Sequence, residues 1–401
     1  MATPEPAPPA PGVPLGTARA EAARLLGRLE RNASALRLAV AGATRRMAPR
    51  VERLDLLATA HEAAPLLEAL ASAPRVRAVR GRSAQHVEVE LDAGLGVRLE
   101  VLPDEQDFVP ALVRATGPQA HVQWLEARAH ACGLAWQGHA LEGPQGRLAL
   151  LEEDDLYAAL GLERPVPERR EAWLPGMEAG APLAMQEVCG VSGVAVREAG
   201  GRYPLADVAG RAAREGYAWL LATLPRGCEA GAASALAQAA AACHDAGADR
   251  APVRLSREQA PGDLPAPGDP LALRLLRAPW AGAAQALALA PVDALLVDPP
   301  GEAPAEPVLA GVLAALARHG TALAVRPPPH HPQPEPQVLE RALAAGVPLL
   351  LQADAHDLVG LDDLVLCVGL ARRAGATAPQ VLNAWPLAQL DAWLAARRER
   401  A

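Results

Sequence analysis

The sequence predicts an α/β protein in two parts, an N-terminal α+β domain followed by a βα barrel. Three observations carry this. From residue 185 onward, helical runs rich in Ala and Arg alternate with short apolar strands: YAWLLAT (217–223), VDALLVD (292–298), TALAVRP (321–327) and VPLLLQAD (347–354). That alternation gives a parallel sheet or a barrel. Before residue 163 the strands and helices follow no such regular order. The chain has 401 residues, 51% hydrophobic and 21% charged, enough apolar material for more than one core.

The elements follow in order. Residues 1–15 hold ATPEPAPPAPGVP and read as a disordered tail, because proline excludes both helix and central strand. Ala20, Ala23, Leu25, Leu26 and Leu29 form an apolar stripe that predicts a helix over 17–31. RLAVAG (37–42) and RLDLLATA (53–60) read as strands, and APLLEALASA (64–73) as a helix. QHVEVELDAGLGVRLEVLP (85–103) is a hairpin: Val87, Val89 and Leu91 alternate with polar residues, and DAGLG turns the chain. Helices are expected at 108–115 and 118–132. The Pro-, Glu- and Gly-rich residues 163–184 have no period and read as a linker between domains 16–162 and 185–401.

Charge and composition narrow the function classes. The formal net charge is −8, which argues against a protein whose main task is gripping a phosphate backbone. Lysine and isoleucine are absent and Phe108 is the single phenylalanine, the mark of a GC-rich coding sequence. Five cysteines without a CxxC pair point to reduced thiols and a cytoplasmic protein. No apolar run spans a bilayer and no export signal opens the chain, so no membrane partner is expected.

Chemistry concentrates in a few stretches. AGATRRMAPRVERLDLL (41–57) places Gly42, then Arg45-Arg46, then Asp55 on a strand. This order suggests a nucleotidyltransferase. That reaction uses a Gly-Ser turn for the triphosphate, two carboxylates at i and i+2, and a third on a neighbouring strand. Together they hold two metal ions about 3.5–4 Å apart. In the second half, LQADAHDL (351–358) sets Asp354 and His356 two apart at a strand end, on one face, where both could ligate a divalent metal. His330-His331 lies in RPPPHHPQPEP and reads as a solvated, extended loop rather than a metal tract.

These stretches, with TGPQAHVQWLEARAHACGL (116–134), DDLYAALGLERPVPERRE (154–171), REGYAWLLATLPR (214–226), VDALLVDPPG (292–301) and ARRAGATAPQVLNAWPLAQLDAWL (371–394), resemble the bacterial family X DNA polymerases that carry a C-terminal PHP phosphoesterase domain. The resemblance runs from about residue 16 to the end. It implies an N-terminal nucleotidyltransferase palm with a thumb-like part, a PHP-type βα barrel, polymerase and 3′–5′ exonuclease activities, divalent metals (Zn, Mn or Mg), and a setting in DNA repair. It also implies helix-hairpin-helix modules ahead of the palm, where this sequence has its proline-rich stretch.

The departures fall on the sites. The family's first palm Asp is Arg53, the second is Asp55, and the third is Arg98. The Gly-Ser turn is Gly42-Ala43, the aromatic pair before Thr-Gly is Arg114-Ala115, and the Asn that reads the base is Val122. Gly42 and Arg46 remain as a remnant nucleotide site and Asp55 as its sole carboxylate. Glu100, two residues from Arg98, lies too far along its strand to replace the third Asp. In the second half the family's H-x-H falls at Gly193 and Ala195, its T-D-H at Thr223-Leu224-Pro225, the Glu of its A-L-E-I-N at Ala324 and its H-P at Asp298-Pro299, leaving Asp298, Asp354 and His356 as a metal remnant. Two readings stay open. One is a non-catalytic binding or scaffold protein with weak or no DNA binding, no cofactor and a protein partner. The other is a phosphoesterase or exonuclease with a reduced metal site at Asp298, Asp354 and His356. Template-directed polymerisation ranks behind both.

Overall fold

A computed structural model describes residues 12–172, 181–228, 231–245, 250–261, 273–289, 292–298, 304–327 and 334–398. The chain divides into two compact units, Met1–Ala179 and Gly180–Ala401.

Unit 1 runs β1 (Val13–Pro14), α1 (Leu15–Leu29), β2 (Ala35–Ala41), α2 (Gly42–Arg45), β3 (Arg50–Val51), β4 (Arg53–Ala60), α3 (Ala63–Ala71), β5 (Val76–Arg82), β6 (His86–Leu91), β7 (Gly96–Leu102), α4 (Phe108–Thr116), α5 (Gln119–Ala131), a small meander β8 (Ala135–Gln137), β9 (Ala140–Gly143) and β10 (Gly146–Arg147), and α6 (Glu153–Ala159). Five strands form one sheet in the order β2-β4-β7-β6-β5, with β4 and β7 parallel and the other pairs antiparallel. The period-two pattern of the hairpin is realised directly. Val87, Val89 and Leu91 on β6, with Val97, Leu99 and Val101 on β7, are all buried, and α3 packs on these two strands through Leu66, Leu67 and Leu70. Register fixes the neighbourhood of Asp55: it pairs with Ala41 on β2 and with Arg98 on β7.

Two boundaries differ from the sequence reading. Val13–Pro14 pairs with Arg50–Val51 and α1 starts at Leu15, so the expected tail shortens from its C-terminal end; residues 1–11 lie outside the described ones. The expected linker 163–184 also narrows. Glu168 and Arg170 are buried in unit 1, and Leu183 is fully buried in unit 2. Stretches rich in Pro and Glu read as linkers because their polarity suits solvent; here Arg170 is buried with its charge paired to Glu153, and residues 173–180 lie outside the described ones.

Unit 2 is a closed barrel of seven parallel strands, in the order β11 (Gly190–Val194), β12 (Trp219–Leu224), β13 (Val253–Gln259), β14 (Leu273–Ala278), β15 (Ala294–Val297), β16 (Ala322–Val325) and β17 (Leu349–Ala355), with β17 pairing back to β11. Helices α7 (Leu205–Arg214), α8 (Ala232–Asp245), α9 (Trp280–Leu289), α10 (Glu306–His319), α11 (Pro336–Ala344), α12 (Leu364–Arg373) and α13 (Leu387–Arg398) complete it. The βα alternation thus yields the barrel the sequence predicts. Trp219, Leu221, Leu273, Leu275, Ala294, Leu296, Ala322, Ala324 and Leu350 form the inner cluster, while the intervening strand residues pack into the larger outer one. Among the described residues no helix is long and apolar enough to cross a membrane.

Candidate functional site

In unit 1 a cleft of about 830 Å³ opens beside the β4 start. Its wall includes Gly42, Arg46, Arg53, Asp55, Arg114, Gly117 and Val122, so the structure brings the candidate site residues of this half together. β4 presents Arg53 and Asp55 on one face, as the i, i+2 spacing requires. Arg53 Nε donates to Asp55 Oδ1 at 2.7 Å. Burial pushes the Asp55 carboxyl above its ordinary range, a rise opposed by Arg53, Arg98 and Arg46. Gly42 has φ of +64°, and a Cβ there would run into the Asp55 carboxylate. Glycine is needed at this turn for both its φ and the close approach.

Arg98 stands in register with Asp55 and bridges to Glu88 (3.4 Å) and Glu100 (3.6 Å). Glu100 in turn bonds His139 at 3.2 Å. Its carboxyl is held below its usual range, first by the His139 hydrogen bond and then, against the cost of burial, by the charges of His139 and Arg98. Glu100 is therefore engaged away from Asp55. A dication placed between Asp55 and its neighbours would face two guanidiniums. Each such contact at about 4 Å and an effective dielectric of about 20 costs roughly 8 kcal/mol, twice the monovalent figure. The donor set does not fit a two-metal centre.

The paired arginines of α2 and its C-cap are fixed from below. Arg45 makes a bidentate pair with Glu153 (2.7 and 3.0 Å), and Arg170, almost fully buried, binds the same carboxylate at 2.8 Å. Burial pushes Glu153 up, but Arg170 and Arg45 outweigh it and hold the carboxyl at about 2. Arg46 donates to the Thr116 carbonyl and, through Nε, to Glu171 at 2.9 Å. His121 packs in the interior. Its Nε2 lies 2.7 Å from the Tyr157 hydroxyl, and burial, with the charge of Arg170, lowers it to about 4. Glu153, Arg170 and Glu171 escaped the sequence reading. Their partners lie up to 125 residues away, and no spacing announces them.

In unit 2 the three candidate metal residues sit at the C-terminal ends of the barrel strands: Asp298 after β15, Asp354 in β17 and His356 just beyond it. Their surroundings differ from a metal site. Glu258, Arg277, Asp298 and Arg326 share the inward parity of β13 to β16 and form a chain of alternating charge. Arg277 reaches Glu258 at 2.9 Å and Asp298 at 2.8 Å, and Arg326 reaches Asp298 at 3.7 Å. Asp354 (φ +53°) and His356 are 3.9 Å apart, beyond hydrogen-bond range, and the His356 side chain is 76% exposed. Gly193 has φ of +75°, and a Cβ there would meet the Gln352 side chain. Among the described residues no three His, Cys, Asp or Glu side chains group as metal ligands would. His330 and His331 lie outside the described residues. All five cysteines are free thiols.

With both neighbourhoods in view, the chain matches no protein-family model and no curated protein.

Proposed function

We propose that this chain is a catalytically silent relative of the bacterial family X polymerases with a PHP domain, a binding or scaffold protein in a DNA-repair setting. One observation carries the reading: the Arg53 guanidinium is bonded to Asp55, the sole palm carboxylate, at 2.7 Å, with Arg98 in register on the next strand. The positions that would assemble two dications hold two fixed cations instead, and phosphoryl transfer of this type depends on those dications. The barrel mouth supports the same reading, because Asp298 is committed to Arg277 and Arg326. Without bound metals nucleotidyl transfer would lack activation of the primer hydroxyl, phosphoester hydrolysis would lack its hydroxide source, and both would lack their charge clamp.

The test is primer extension and 3′–5′ degradation of labelled DNA with magnesium or manganese, alongside elemental analysis of the purified protein. No extension or degradation above buffer is expected, with substoichiometric zinc and manganese. Extension abolished by Asp55→Ala would refute the reading for the palm. Stoichiometric metal lost in Asp354→Ala or Asp298→Ala would refute it for the barrel and favour a reduced phosphoesterase.

A further inference from the structure

We infer that a cleft at the N-terminal end of the unit 2 barrel docks a proline-rich segment of a partner protein in the polyproline II form. Pro348 stands directly before β17 and Gly320 just ahead of β16, so the cleft lies at the barrel end away from Asp298 and Asp354. The inference stands whether or not the palm is silent.

The cleft holds about 320 Å³. Two indoles form its apolar wall. Trp385 lies just ahead of α13 and Trp393 on that helix; they meet edge to face, with ring centroids 6.0 Å apart. Both are half-buried, so each keeps surface for a ligand. Pro348 and Pro379 add to the same wall. Aromatic rings set at an angle suit the ridged surface of a polyproline helix, which is stiff before it binds and loses little entropy on docking.

The polar groups decide the ligand class. Acceptors of the wall are already in use. The Pro379 carbonyl accepts from Trp385 Nε1 at 3.0 Å, the Pro348 carbonyl from the Leu323 amide at 2.9 Å and the Gly320 carbonyl from Arg397 at 2.6 Å. Gln380 Oε1 accepts from the Thr377 amide and hydroxyl, each at 3.0 Å. Donors are left over: Trp393 Nε1 and the Gln380 side-chain nitrogen have no hydrogen-bond partner among the described residues. A proline-rich segment is the converse, because its carbonyls accept while proline has no N–H to give. A sugar, whose hydroxyls donate as well, would find those acceptors taken. Charge argues against an ammonium, the other ligand that paired indoles hold. No carboxylate lines the cleft among the described residues, and Arg397 already stacks on Trp393, 4.8 Å from the ring centre. That guanidinium is itself engaged by Asp293 at 3.0 Å, so an anion gains nothing there either.

Fluorescence anisotropy of a labelled oligoproline peptide with the full chain tests this. Saturable binding is expected, and none of an oligoglycine peptide of equal length. Gln380→Glu keeps the acceptor for Thr377 and removes the amide donor; Trp393→Phe keeps a ring and removes the indole N–H. Each should weaken binding about tenfold, the scale of one hydrogen bond. Gln380 is partly exposed, so its variant carries the test if Trp393→Phe fails to fold. No binding, equal binding of oligoglycine, or binding that ignores the substitutions overturns the inference. Displacement of the peptide by tetramethylammonium would make the cleft a cation cage and overturn it as well. Residues 2–11, ATPEPAPPAP, belong to the same ligand class. Tighter peptide binding on their deletion would make the chain's own segment the occupant and overturn the partner's claim to the site.

Discussion

Glu153 shows how a single carboxylate organises unit 1. It holds Arg45 beside the cleft and Arg170 in the interior, both by direct bonds. Glu153→Gln would keep the shape and leave a guanidinium that is 1% exposed without its counter-charge. A loss of about 3 kcal/mol in unfolding free energy is expected, because a buried pair broken on one side strands the other charge. The same cluster predicts acid sensitivity. His121 falls from an ordinary 6.5 to about 4 in the folded protein, and Glu153 from 4.5 to about 2. Each group binds its proton more weakly folded than unfolded, so each adds stability that is complete at high pH and lost as pH falls. His121 should act between about 6.5 and 4, and Glu153 between about 4.5 and 2. Denaturant unfolding across this range should show stability declining from pH 6.5 downward, with His121→Gln removing the upper part of the decline. A flat profile in the unsubstituted chain would refute it.

At the scale of elements, the fold of unit 1 was largely legible, and that of unit 2 in part. The hairpin, β4, α3, α4 and α5 follow from periodicity within a residue or two. In the barrel, β12, β15, β16 and β17 are apolar runs, whereas β11, β13 and β14 went unread. β11 is short and carries Gly190 and Gly193; β13 and β14 carry Arg254, Glu258, Arg274 and Arg277 within the strand. Buried parallel strands usually read as apolar, and these do not, because their charges are matched by partners on other elements: Arg254 by Asp391, Arg274 by Asp293 at 3.1 Å, Glu258 by Arg277. The site was legible to the same limit. Arg53 beside Asp55 follows from the strand period, but the pairing of Arg98 with Asp55 needs the β4–β7 register, and the Arg45–Glu153 contact spans 108 residues. Gly190 gives the element-level test. A Cβ there would fall within the indole of Trp219, which is fully buried on the adjacent β12. Gly190→Ala should cost about 1–3 kcal/mol by overpacking. Gly311, on α10 with open space around it, should gain up to about 1 kcal/mol on Gly311→Ala. Chemical denaturation of both variants against the parent checks the pair; equal effects would mean that barrel packing does not discriminate them.

For the whole molecule the proposed function makes DNA binding the property to test. The chain carries 38 basic side chains, all arginine, against 46 acidic ones. Many of those arginines are already spent: Arg45, Arg80, Arg98, Arg254, Arg277 and Arg341 each hold a carboxylate within the described residues. An arginine that must leave a carboxylate to reach a phosphate gains little, because one ion pair replaces another. Affinity for duplex DNA grows with the number of phosphates neutralised, each adding about 0.9 to the slope of log affinity against log salt. A surface with few unspent cations and a net charge of −8 should therefore bind weakly and with a shallow slope, on the order of −2. Fluorescence anisotropy with a labelled duplex, titrated from low to physiological salt, measures both quantities. The expected result is binding weaker than about 10 µM at physiological salt, within the span of non-specific association. A submicromolar complex with a steep slope would mean that the arginines exchange partners freely, and that the ion pairs of both units are a reserve for DNA rather than the means by which charge is buried.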